Sequence, residues 1–186
     1  MCRKPNKGNN KMKKLIIAAA IVCAAAVSQA AAVGWVCAGA NTYAGGSYDV
    51  FVIGLNGVTG VDQIKAIVEA GGLEAASAYA FASGAVSSAG AATKTATASG
   101  KTITYSGSGT DSYTGFIFVQ DAAGEKASYT ATASITMDNN STSKQFSFAN
   151  QSANLANNKF DVAPEPTSGL LLLLGVAGLA LKRRRA

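Results

Sequence analysis

The chain of 186 residues contains no histidine. That removes the commonest general base and the commonest metal ligand, and with them any triad built on imidazole. Cysteine occurs at Cys2, Cys23 and Cys37 only. The first two fall in a segment expected to be removed on export, so Cys37 is left alone and no intramolecular disulfide can form. The mature domain must therefore hold together by packing. Proline occurs three times, at Pro5, Pro164 and Pro166, and never between residues 6 and 163. The last two prolines stand out as punctuation.

Charge is scarce and unevenly placed. The formal net charge is +6, which by itself suggests a nucleic-acid binder. Yet Arg3, Lys4, Lys7, Lys11, Lys13 and Lys14 precede the first apolar run, and Lys182, Arg183, Arg184 and Arg185 end the chain. Residues 31–166 keep six lysines against all ten acids, a net charge of −4. An acidic domain repels a polyanion, so a nucleic-acid partner is excluded as a working reading.

Both ends read as addresses. Basic residues through Lys14 are followed by the apolar run Leu15 to Val27 and then Ser28-Gln29-Ala30. Small residues at 28 and 30 suit a secretory cleavage site, with the cut after Ala30 and Ala32 as the neighbouring choice. Met12 can serve as the true start, because Met12-Lys13-Lys14 already supplies a charged beginning. A thirteen-residue helix rises only about 20 Å, short of a bilayer core of ~30 Å, so a cleaved signal peptide is expected over 1–30. This implies the secretion machinery and signal peptidase as partners. Residues 31–42, with Trp35 and Cys37, are expected to form a mobile arm.

At the other end, Pro164-Glu165-Pro166 precedes the apolar run Leu170 to Leu181 and the basic cluster Lys182-Arg183-Arg184-Arg185. The prolines hold the chain extended and without N–H donors, a strip a protease can grip. The twelve apolar residues make about 18 Å of helix, thin for a bilayer, so the flanking arginines must snorkel. The basic cluster places the C-terminus on the cytoplasmic side and everything before the run outside.

The tail from Val162-Ala163-Pro164-Glu165-Pro166-Thr167-Ser168-Gly169 through the Leu-rich run to Lys-Arg-Arg-Arg resembles the PEP-CTERM sorting domain of Gram-negative bacteria. The resemblance implies an exosortase, an integral-membrane enzyme with cysteine-protease-like chemistry, as processing partner. It implies Pro164, Glu165 and Pro166 as the recognition triplet, Leu170 to Leu181 as a single membrane span, and Lys182 to Arg185 as the stop. Carriers of such tails are typically surface or secreted proteins of bacteria that make exopolysaccharide, which makes that polymer a further partner to consider. Thr167-Ser168-Gly169 lacks the aromatic common after the triplet. The tail is about an eighth of the chain and carries no information on the domain before it.

That domain, residues 43–161, is expected to be mainly β: an antiparallel β-sandwich with one helical insertion near 60–71, flanked by the signal helix and the C-terminal span. Tyr129, Ala131, Ala133, Ile135 and Met137 alternate with polar residues from Ser128, which predicts one strand with one buried face. Phe116-Ile117-Phe118-Val119 predicts a strand covered on both faces. Shorter candidates are Tyr48 to Ile53, Thr93 to Ala98, Lys101 to Tyr105, Lys144 to Ala149 and Lys159 to Val162, with a hairpin at Ser99-Gly100. Val61, Ile64 and Ile67-Val68 recur at helical spacing. Thr59 with Asp62 is placed to cap that helix, and Gly71-Gly72 to end it. Leu73 to Phe81 fits helix or strand.

Candidate chemistry in the domain is thin. The acids Asp49, Asp62, Glu69, Glu74, Asp111, Asp121, Glu125, Asp138 and Asp161 are scattered and form no close pair, so no catalytic residue is assigned and no enzyme is expected. Asp138-Asn139-Asn140-Ser141 offers oxygens in a row but lacks the glycine of a calcium loop, so neither metal nor cofactor is expected. Tyr43, Tyr48, Tyr79, Tyr105 and Tyr113 keep a sugar-binding reading open if their rings are exposed. The chain is thus read as a non-catalytic surface or matrix protein, with a carbohydrate-binding module or a hydrolase as alternative.

Overall fold

Dense apolar sequence sets the centre of the domain. In a computed structural model, which describes residues 28–87, 89–90, 92–94, 101–107 and 109–163, the Phe116–Val119 run lies in β6 (Asp111–Gln120) and is fully buried. Alternate residues point to opposite faces, so both faces of this strand are covered, as its unbroken hydrophobicity predicts. Ile117 and Val119 face a second sheet, whereas Phe116 and Phe118 face a helix.

Strand β2 (Ser47–Val52) pairs antiparallel with β6 and with β3 (Ala82–Ala85). On the other side of β6 lie β7 (Lys126–Tyr129) and β8 (Ala133–Met137), and β10 (Phe160–Asp161) pairs with β7. The second sheet is built on β1 (Gln29–Cys37). It pairs antiparallel with β4 (Ala92–Lys94) and β5 (Thr102–Tyr105), and parallel with β9 (Ser143–Phe148). Val33, Trp35, Ile103, Phe146 and Phe148 from this sheet meet Val50, Val52, Ile117, Val119 and Met137 from the first in one core. The architecture is mainly β, two sheets around a shared core, with α1 (Val61–Ala76) against the outer face of the first.

Four expectations need correction. The stretch 31–42 is not a mobile arm. β1 occupies most of it, with three strand partners, and Trp35 and Cys37 are buried. Its apolar side chains alternate into the core, and Trp35 Nε1–H donates to the Tyr48 hydroxyl across the two sheets at 3.2 Å. A buried indole N–H needs such a partner. Gly84 opposite Tyr48 makes room for that ring, since a Cβ there would come within 2.7 Å of its hydroxyl.

The pairing is not purely antiparallel, because β9 runs parallel to β1 from Ala32–Ser143 to Cys37–Phe148. The alternating stretch from Ser128 to Met137 is two strands, not one. Phe118 to Gly115 is three steps along β6, while their partners Tyr129 and Ala133 are four apart. One residue is therefore extra, a bulge that flips the facing of everything beyond it. Tyr129 faces the helix side, whereas Ile135 and Met137 face the other sheet.

The bulge is satisfied by side chains. Ile117 N–H donates to Thr130 Oγ1 at 3.0 Å, and Ala131 N–H to Gln151 Oε1 at 3.0 Å. A short helix unpredicted from sequence, α2 (Ser152–Asn157), covers this point and accepts from Ser128 Oγ at the Leu155 carbonyl.

Last, Thr59 and Asp62 do not cap α1: Gly60 is its N-cap, without a side-chain capping bond, and Thr59 before it is held by Gln63. Gln63 Oε1 accepts from the Thr59 N–H at 2.7 Å and from its hydroxyl at 2.9 Å. The helix loses regular geometry at Gly71 and Gly72, as their sequence predicts, then resumes to Ala76 before a 3-10 turn over Ser77–Tyr79. The signal segment up to residue 27, residues 95–100 with the expected hairpin, and the tail from residue 164 lie outside the described residues.

Candidate functional site: where the tail leaves the domain

Of the residues singled out for processing, Ala30 is in β1 and exposed, while the next residue, Ala31, is buried. Pro164, Glu165, Pro166, Leu170 to Leu181 and Lys182 to Arg185 lie outside the described residues, which reach Ala163. What can be described is the hand-over, the strap of residues 160–163.

The strap is held by backbone hydrogen bonds, by Phe160 and Val162 packed on the helix-side core, and by the Lys126–Asp161 ion pair. Phe160 and Asp161 pair with Ala127 and Lys126. Val162 N–H then donates to the Glu125 carbonyl at 2.9 Å, and Ala163 N–H to the Glu69 carbonyl at 2.8 Å. The Phe160 ring packs edge-on to Phe118 at 6.2 Å between centroids, and Lys65 Nζ lies 5.2 Å over it.

Glu69 is free to accept because of the two glycines after it. In an unbroken helix its carbonyl would take the N–H of Leu73. At Gly72 the backbone turns to φ +69°, which glycine alone adopts at no steric cost, and Leu73 N–H instead donates to Gln120 Oε1 at 3.0 Å. Gln120 Nε2 in turn donates to the Gly124 carbonyl in the β6–β7 turn at 2.8 Å. The Gly-Gly break thus releases the acceptor that anchors the residue before Pro164. Neither Gln120 nor the Glu69 carbonyl is visible as a site in the sequence, since each acts through contacts far along the chain.

A cleft of about 440 Å³ opens beside this anchor, lined by Gly72, Glu74, Gln120, Gly124, Glu125 and Ala163 among others. Two ion pairs lie on the elements that meet at the strap, Lys126–Asp161 between β7 and β10 and Lys65–Glu69 along α1. Hydrogen bonding from Lys126 holds Asp161 below the usual carboxylate range and raises Lys126, and Glu69 raises Lys65 in the same way. Among the described residues Glu74 and Glu125 are in no ion pair. Beneath the outer sheet face, Asp49 is buried. Desolvation pushes its carboxyl up against a Ser83 hydrogen bond that lowers it, and the charge of Glu74 adds to the rise.

Elsewhere the candidate groups do structural duty. The Asp138 carboxylate accepts from Asn140 N–H and Ser141 Oγ–H at 3.0 Å each, so it closes its own turn. Its pKa is lowered mainly by the first of these bonds. Tyr43, Tyr48 and Tyr105 are buried and Tyr79 and Tyr113 half-buried. No aromatic ring lines the cleft. Burial pushes the Cys37 thiol to about 11, which leaves almost no thiolate at neutral pH for exchange chemistry.

The strap enters the segment that decides the identity of the tail. The family model described as the PEP-CTERM protein-sorting motif matches residues 162–185. The chain carries a PEP-CTERM sorting motif. It is accordingly an exported protein directed to an exosortase, and its C-terminal region anchors it to the membrane before processing. The match begins at Val162, inside the strap, so the sorting motif and the folded domain overlap by two residues. No curated protein and no solved structure matches the chain. Among the described residues no helix is long and apolar enough to cross a membrane.

Proposed function

We propose that this is a non-catalytic protein of the cell surface or extracellular matrix, exported through a signal peptide cut after Ala30 and released by an exosortase at the PEP-CTERM tail. The observation that carries the reading is the motif match over 162–185. Before processing, Leu170 to Leu181 spans the inner membrane. Lys182 to Arg185 stays on the cytoplasmic side, because positive charge resists translocation, and the domain faces the periplasm. Pro164, Glu165 and Pro166 are what the exosortase grips. After release the domain acts by being present, in contact with exopolysaccharide. The burial of its aromatic rings in the two cores supports a structural use of those side chains over a sugar-binding one.

One observation favours a second reading, a secreted polysaccharide-active protein. Glu74 and Glu125 line the same cleft, and glycoside hydrolysis needs two facing carboxyls about 5 to 10 Å apart. Retardation of the domain in gels containing the native polysaccharide, and release of reducing ends that is lost in Glu74→Gln and Glu125→Gln, would establish it.

The primary reading is tested in a host with the exosortase. The mass of the wild-type product is compared with that of the Pro164/Glu165/Pro166 triple-alanine variant. The wild type is expected to lose the apolar run and basic end, and the variant to keep them. Equal retention in both overturns the reading.

A further inference from the structure

We infer that the end of the domain where the tail leaves is the surface that meets the external face of the membrane-embedded processing enzyme. It is formed by the Gly71–Gly72 break in α1, the β6–β7 turn and the strap. This inference rests on the sorting function proposed above and specifies how the domain is held while that function is carried out.

The argument begins with the length of free chain. Ala163 N–H is bonded to the Glu69 carbonyl, so the domain holds the chain up to the residue before Pro164. Six residues separate Ala163 from Leu170, where the apolar run begins. Whatever their conformation, those seven steps reach at most about 25 Å. Strand β6 alone, with ten residues, is about 30 Å long. The domain is therefore larger than its tether. An enzyme that reaches Pro164 to Pro166 from the membrane must work in the gap under the tail-exit end. The opposite end of β6, with Asp111 and the Asp138–Ser141 turn paired beside it, is held away by the length of the strand.

Charge separates the enzyme from the lipid as the occupant. The exit end presents Glu74 and Glu125, unpaired among the described residues, together with Asp121. The Asp121 carboxylate accepts from the N–H groups of Glu125 and Lys126, at 2.9 and 3.2 Å, and among the described residues is in no ion pair. Such a face is repelled by anionic headgroups and is drawn to a surface of opposite sign. The cleft beside Ala163 gives that partner surface a recess to enter without displacing the strap.

The test is photo-crosslinking of the full-length chain in a host with the exosortase. A benzophenone amino acid is placed either at Ala123, exposed in the β6–β7 turn, or at Asn140, exposed at the far end. The expected result is a crosslink to the enzyme from Ala123 several-fold stronger than from Asn140. A flexible Gly-Ser insert of about twelve residues between Ala163 and Pro164 should weaken the Ala123 crosslink several-fold by lowering the effective concentration. The tail removed with equal or stronger crosslinking from Asn140, with crosslinks to lipid only, with none from either site, or with a yield the insert leaves unchanged overturns the docking face while the sorting reading stands. A tail that is never removed overturns both.

Discussion

Strand β1 lies where the proposed export signal ends and the strap where the sorting motif begins, and they are secured in opposite ways. β1 pairs with β4, β5 and β9 and drives Val33, Trp35 and Cys37 into the core between the sheets. The strap adds a two-residue strand to β7 and two further backbone hydrogen bonds. Its Asp161 and Ala163 are exposed. β1 is thus a structural member whose removal breaks one whole sheet. The strap is a clasp that can be peeled from an edge without touching the inter-sheet core. In the proposed function the export signal is cut before the domain folds outside the cell, so its neighbour can be built in deeply. A sorting tail must stay within an enzyme's reach on a folded protein, which suits a light attachment.

Substitutions can break or sharpen that contrast. The largest effect is expected from Trp35→Ala, which should cost about 3–5 kcal/mol in urea unfolding of the mature domain. A loss under about 1 kcal/mol would mean that β1 is not a core strand. Gly72→Ala comes next, at about 1–3 kcal/mol, because alanine at φ +69° is strained and its Cβ would meet Gln120 Nε2 at 2.9 Å. It should also loosen the Ala163 anchor, seen as faster amide exchange there than in β1. Phe160→Ala should cost about 1–2 kcal/mol, less than Trp35→Ala, since the ring is half-buried. If it proves the costlier of the two, the clasp is misjudged.

The smallest effect is electrostatic. Asp161 titrates below the ordinary carboxylate range, so its contribution is complete above that range and disappears as pH falls through the lowered value. Buried Asp49 has the opposite sign. Its raised carboxyl opposes folding when ionised, and the opposition eases as pH falls through the raised value. Asp161→Asn should remove the first dependence and Asp49→Asn the second, each read from stability measured across acidic pH.

What sequence could reveal depended on how far apart the interacting residues lie. The tail was legible because its triplet, apolar run and basic end follow one another within 23 residues. The burial of Phe116 to Val119 and the break at Gly71-Gly72 were legible because each is a local property of a few residues. β1 was not. Its small and apolar residues follow directly on the signal segment, and its partner β9 lies more than a hundred residues away. The bulge between β7 and β8 was hidden for another reason. Ala, Ser and Thr suit either face of a strand, so an inserted residue at Thr130 to Thr132 leaves the written alternation intact. The role of Gln120 required a contact with Leu73, 47 residues earlier.

The central claim, that the chain is an exported substrate of tail processing, is tested most directly by the intact mass of the protein from its native envelope. The account predicts a species that begins at Ala31 and lacks the run Leu170 to Leu181 and the basic end. A mature protein that keeps its residues through Ala186 would contradict it.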